Sequence, residues 1–241
     1  MVPEMDLVTR ILDDIDQTPA PVHRPLVNLS YAQSLDGSIA ARQGEMLEIS
    51  GSASARLTHQ LRAHHQGILV GVGTVLADDP RLTVRLAQGD DPQAVILDSK
   101  LRIPLDSALF QGRLPWIATT DQADADKVTA LEAEGVRLLR TPVDSRGRVS
   151  LPDLLSCLQQ LGIKKLMIEG GSGVITSFIS QRLADFLVLT ISPVIIGGFH
   201  AVQVPLQEIV EYSIAEFPRL EDFAVQKLGT DLILWGRLVQ P

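Results

Sequence analysis

Residues 67–85 read GILVGVGTVLADDPRLTVR, crowding glycines, a threonine, paired carboxylates and two arginines behind the short apolar run Ile68, Leu69 and Val70. Gly71 and Gly73 remove side chains where backbone must turn or approach a ligand closely. Thr74 stands at a helix start, Asp78, Asp79 and Pro80 break the chain, and Arg81 and Arg85 offer cations to an anion. A second string, LMIEGGSGVITS over residues 166–177, sets Glu169 at a strand end and Gly170, Gly171 and Gly173 before a helix. Free N–H groups at such a helix start favour a phosphate, although the full G-x-G-x-x-G fingerprint cannot be read there and a tight structural turn gives the same pattern. Glu169 could accept hydrogen bonds from a polar heterocycle or ribose hydroxyls, or simply cap the following helix. Asp36, in the turn Ser34-Leu35-Asp36-Gly37, is either a turn residue or a proton donor, and Asp98 and Ser99 again put small polar groups beyond a strand. Arg62 falls late on a helix, where a cation complements the dipole.

These residues need elements to hold them. Leu7, Val8, Ile11, Leu12 and Ile15 mark a leading amphipathic helix, followed by the proline-rich tether TPAPVHRP, so residues 1–24 read as an appendage to a domain spanning 25–241. From there strands are expected at 26–30, 68–72, 94–98, 116–119, 136–139, 165–168 and 186–192. Helices are expected at 52–65, capped by Ser52, and at 124–134, 151–161 and 173–182. Leu82, Val84 and Leu86 alternate with Thr83 and Arg85 as in a strand with one polar face, and residues 223–228 and 232–238 form a hairpin over Gly229 and Thr230. The expected fold is a three-layer α/β domain with a mostly parallel sheet and an antiparallel C-terminal edge. In open sheets of this kind ligands bind at the carboxyl ends of strands, where the turns at 32–37, 71–79, 98–100 and 169–177 would gather.

Composition narrows the partners. With 241 residues, 45% hydrophobic and 4% aromatic, the chain buries an aliphatic core and offers little stacking surface for bases. A net charge of -8 disfavours nucleic acid or an anionic membrane while leaving room for a small phosphorylated ligand held by a few arginines. The single cysteine, Cys157, excludes a multi-cysteine metal site, and the five histidines lack metal-binding spacing, so no metal is expected. Without a signal-like N-terminus or an apolar run of about 20 residues, the expected location is the cytoplasm.

The strings SLDGSIA, LRAHHQGILVGVGTVLADDPRLTVR, ILDSKLRIP, IEGGSGVITSFI and ISPVIIGG, in this order, resemble the reductase domain of riboflavin biosynthesis. That domain is the C-terminal half of the bifunctional bacterial deaminase/reductase, and the resemblance is stronger still to the stand-alone reductases of archaea and fungi. It implies a dihydrofolate-reductase-like fold, NADPH as hydride donor, a ribosylaminopyrimidine 5′-phosphate substrate reduced at C1′ to the ribityl compound, and a homodimer. It assigns Ala32, Thr74, Asp78, Ser99 and the run Gly171, Ser172, Gly173, Val174, Ile175, Thr176 and Ser177 to the cofactor, and Arg62, Leu82, Arg85 and Glu169 to the substrate. Asp36 is the nearest catalytic candidate by position. The bacterial G-E-S-x-W segment is replaced here by Gly44, Glu45, Met46, Leu47 and Glu48, so its serine and tryptophan contacts do not transfer. The stand-alone reductases lack that tryptophan too. No H-x-E with P-C-x-x-C zinc signature is present, so deamination is not expected.

Overall fold

The runs Ile68-Leu69-Val70 and Leu166-Met167-Ile168 have no polar side, and all six residues are completely buried. They can be so only in the middle of a parallel sheet covered on both faces. The computed structural model describes residues 6–45, 47–203 and 217–239. The chain runs α1 (Leu7–Gln17), β1 (Leu26–Ser34), β2 (Ser38–Ala40), α2 (Ser52–His64), β3 (Gly67–Gly71), α3 (Val72–Asp78) and β4 (Gln93–Leu97). After a 3₁₀ turn at Ala108–Phe110 come β5 (Trp116–Thr119), α4 (Ala125–Ala133), β6 (Arg137–Arg140), α5 (Leu151–Gln160), β7 (Lys165–Ile168) and α6 (Ser172–Ser180). The last elements are β8 (Phe186–Ser192), β9 (Phe199–His200), β10 (Arg219–Leu228) and β11 (Asp231–Val239).

The large sheet has the order β10-β11-β8-β1-β7-β3-β4-β5-β6. From β8 to β6 every pairing is parallel, whereas β11 runs antiparallel to β8 and β10 antiparallel to β11. Chain order and spatial order part company at β1 and β7, because β7 returns late to lie between β1 and β3. On one face α1 and α2 pack over Leu26, Met167, Phe186, Val188 and Trp235, while Val72, Val75 and Leu131 extend the layer across β3 to β5. On the other, Leu154, Leu155 and Leu158 of α5 and Phe178 of α6 cover Leu29, Leu69, Val95 and Leu166.

The N-terminal helix is integrated into this core. Leu7, Ile11 and Ile15 lie one turn apart and are buried, and the Trp235 indole N–H donates to Asp14 over 2.8 Å.

Three local expectations change. The first strand extends to Ser34 because β1 pairs with β7 through its first half and with β8 from Asn28 onward. The cap of α2 is not Ser52: Gly51 precedes the helix, and the Asp231 carboxylate of β11 accepts the Gly51 N–H at 2.8 Å and the Ser54 hydroxyl at 2.6 Å. No strand forms over residues 82–86. Asp79 and Leu82 adopt left-handed φ values of 38° and 54°, which break the extended run. Side chains then take up the hydrogen bonds that a neighbouring strand would have supplied.

His65, just after α2, lies inside the protein with Nδ1 against the Leu61 carbonyl at 2.6 Å. Burial pushes its imidazole down from 6.5 to about 4. The unfolded chain therefore takes up a proton that the folded chain refuses as pH falls between these two values. Stability should decline across that window by at most about 3 kcal/mol. Urea unfolding at pH 7 and pH 5 should show a smaller acid loss for His65→Leu than for the unaltered protein.

Candidate active site at the carboxyl edge of the sheet

Parallel strands deliver their C-terminal turns to one rim, and here the rim opens into a cavity of about 910 Å³. Its walls come from the β3–α3 turn, the turn after β4, the β7–α6 turn, the loop around residues 144–149 and residues 39–45 with Leu47. Thr74, Asp78, Ser99, Gly171, Ser172, Gly173, Val174 and Ser177 line it. The two glycine-rich turns touch: the Thr74 hydroxyl accepts the Gly171 N–H at 3.2 Å. A side chain at Gly71 or Gly170 would run into Val174 at 2.8 or 2.6 Å, so packing of α6 against β3 demands these glycines. Gly73 and Gly173 differ, since a Cβ at either would meet nothing within 4 Å. No side chain caps α6, which leaves the positive end of its dipole at the cavity wall.

Cations collect on this wall from places far apart in sequence. Lys100 and Arg102 follow β4, and Arg146 and Arg148 flank Gly147 in a tight turn closed by a bridge between Val143 and Val149. Asp144 accepts the backbone N–H groups of Arg146 and Arg148 and pairs with the Arg148 guanidinium at 3.2 Å. Ser99 ties the two regions together by accepting the Val149 N–H at 3.1 Å. Among the described residues no carboxylate pairs with Lys100, Arg102 or Arg146, so these three exposed cations leave the cavity wall with a local positive charge. These four basic residues were not singled out from sequence. The available signal was the pair of arginines straddling Gly147 and the basic flanks of SKLR.

A second cluster lies beside this cavity in sequence but does not line it. Arg62 grips Glu169 with both prongs, Nε to Oε1 and Nη2 to Oε2, each at 2.7 Å, and donates from Nη1 to the Thr83 carbonyl at 2.9 Å. The pair is 11% and 14% exposed. Burial works against the Arg62 charge, yet the Glu169 carboxylate outweighs it and raises the guanidinium's pKa. Leu82 is buried in the core under α3, and Arg85 is exposed with Nη1 on the Thr83 hydroxyl at 2.9 Å.

The remaining expected residues stand elsewhere. Ala32 lies within β1 opposite Thr190, Ile175 is fully buried, and the Thr176 hydroxyl accepts the Gln203 N–H at 2.9 Å. Asp36 does not line the cavity. Its carboxylate accepts the hydroxyls of Ser34 and Ser38 at 2.6 and 2.7 Å and the N–H groups of Ile196 and Gly197 at 3.0 and 2.9 Å. Led by the Ser34 bond, these hold it far below the usual carboxylate range. Asp36 thus organises the loops around β2, with its carboxylate taken up by four donors away from the cavity lining.

A family model described as the RibD C-terminal domain matches residues 25–234. The 2,5-diamino-6-ribosylamino-4(3H)-pyrimidinone 5′-phosphate reductase of Methanothermobacter thermautotrophicus is 38% identical over 215 residues, covering 88% of this chain and 97% of the relative. The riboflavin biosynthesis protein RibD of Bacillus amyloliquefaciens is 36% identical over 213 residues, and there the alignment takes in 87% of this chain but only 56% of the relative. Among solved structures, the riboflavin biosynthesis reductase Rib7 of Saccharomyces cerevisiae superposes with a TM-score of 0.75 at 26% identity, over 97% of this chain and 100% of that one. Dihydrofolate reductase from Enterococcus faecalis shares the fold with a TM-score of 0.50 at 12% identity, covering 88% and 96% of the two chains.

The ion pair itself is open to measurement. Removing one partner strands a mostly buried charge, so Arg62→Met or Glu169→Gln should each cost about 3 kcal/mol of unfolding free energy. Combined in one chain, the two should cost clearly less than their sum in chemical denaturation.

Proposed function

The chain belongs to the RibD C-terminal domain family, and on that footing we propose that it reduces the ribosyl side chain of a ribosylaminopyrimidine 5′-phosphate to ribityl with NADPH. The observation that carries this reading is the course of residues 71–85. They begin at the cavity with Thr74 and Asp78 and end, within a few residues, at the Arg62–Glu169 cluster with Arg85. One segment thus spans two differently built subsites, as a reaction between two bound molecules requires.

The cavity suits a long, doubly anionic nicotinamide cofactor. Its volume lies toward the upper end of the range of about 300–1,000 Å³ found for ligand pockets. The open faces at Gly73 and Gly173 give backbone access, and the first turn of α6 with Ser172 would hold a pyrophosphate. Lys100, Arg102 and Arg146 would hold the 2′-phosphate that distinguishes NADPH from NADH. When bound, the reduced nicotinamide supplies a hydride. On the substrate side, Arg62 fixes the Glu169 carboxylate in place, and its remaining lone pairs accept from pyrimidine amino groups. Arg85, whose exposed guanidinium bonds among the described residues only to the Thr83 hydroxyl, is the cation free to meet the substrate phosphate.

The edge of the sheet supports a homodimer. Phe223 and Val225 on β10 are 61% and 55% exposed, and Leu232 on β11 is 40% exposed, next to an edge strand of ten residues. Such an edge calls for cover.

Oxidation of NADPH, followed by absorbance with phosphorylated and dephosphorylated ribosylaminopyrimidines, tests the reading: turnover of the phosphorylated substrate is expected, and no turnover of it would overturn the proposal. Arg85→Ala should raise the KM for the phosphorylated substrate by the equivalent of roughly 1.5 to 3 kcal/mol. Arg146→Ala should raise the KM for NADPH and leave that for NADH nearly unchanged. Val225→Lys should halve the mass in sedimentation equilibrium.

A further inference from the structure

His59 sits on α2 one turn before Arg62, is 5% exposed, and belongs to none of the contacts assigned above. Its Nδ1 accepts the backbone N–H of Arg85 at 2.9 Å. Beside it, Arg62 donates to the Thr83 carbonyl at 2.9 Å, and Asp91 accepts the Val84 N–H at 2.6 Å. Successive peptide groups of residues 83–85 are thus held by side chains and by no strand partner. Leu82, buried with φ at 54°, anchors the start of this stretch, and the His59 bond fixes its end.

We propose that His59 is a positioning residue: as a neutral imidazole it fixes the Arg85 backbone, and through it the place from which Arg85 meets the substrate phosphate. The proposal rests on the reading of Arg62, Arg85 and Glu169 as the substrate cluster. An amide N–H can only donate, so Nδ1 must carry a lone pair and the proton must sit on Nε2.

The surroundings favour that neutral form. Burial acts first against the charged imidazolium, and the guanidiniums of Arg62 on the same helix and Arg85 on the loop act with it. The Glu169 carboxylate at the end of β7 and the Thr83 backbone oppose them without prevailing, and the imidazole is held below 6.5. Protonation would set one donor against another, release residues 83–85 and place a third cation between two arginines. A histidine that merely filled space would need neither this tautomer nor this acceptor.

The test compares His59→Leu, which has no acceptor, with His59→Asn, whose side-chain oxygen reaches the place of Nδ1. In His59→Leu the KM for phosphorylated substrate should rise roughly tenfold, with the KM for NADPH unchanged. Protection of the Arg85 amide in hydrogen exchange should fall in parallel. His59→Asn should restore most of both. An unchanged substrate KM in a folded His59→Leu, while Arg85→Ala does raise it, overturns the proposal and leaves the substrate reading standing. An unchanged KM in Arg85→Ala as well brings down both. Should His59→Leu not fold, nitrogen NMR of the unaltered protein decides: Nδ1 must be unprotonated and hydrogen-bonded at pH 7, and a protonated Nδ1 there refutes the proposal.

Discussion

The double grip of Arg62 on Glu169 is the contact on which the candidate site depends. It joins a helix on one face of the sheet to the carboxyl end of its central strand, and Arg62's third bond reaches the 83–85 loop. Such a pair gives little net stability, because desolvating two charges offsets most of their attraction. What it supplies is direction. A planar fork on a carboxylate tolerates one geometry, so helix, strand end and loop are held in one register.

That register is worth holding because of the sheet topology. β7 is laid down late yet lies between β1 and β3, so its C-terminal turn emerges beside turns from much earlier in the chain. The glycines at positions 71 and 170 let the β3–α3 and β7–α6 turns close on each other through Val174. Across the rim, Ser99 brings the turn after β4 to the 143–149 loop, which gathers basic residues separated by some 45 positions in sequence. In a protein of net charge -8, this gives one rim of the sheet a local positive field.

The parts of this arrangement that were legible in sequence are those set by local rules. Buried parallel strands announce themselves as unbroken apolar runs, so β5, β7 and β8 fall where the sequence puts them. Alternation misleads over residues 82–86, because a loop whose amides are taken by His59 and Asp91 can imitate a strand in pattern while having none in geometry. The cap of α2 was unreadable for another reason: its acceptor, Asp231, comes from the far end of the chain. Asp36 shows the remaining ambiguity, since a carboxylate after a strand looks the same whether it gives a proton or gathers four donors. The basic wall escaped because no single segment carries it.

The account as a whole stands on hydride transfer across the junction that residues 71–85 span. Incubating the protein with a ribosylaminopyrimidine 5′-phosphate and NADPH carrying deuterium at both hydrogens of the nicotinamide C4, then locating the label by NMR, tests it most directly. The account predicts a ribityl product carrying the deuterium at C1′, formed in step with NADPH consumed. Unlabelled product, or cofactor oxidation without a labelled C1′, would contradict it.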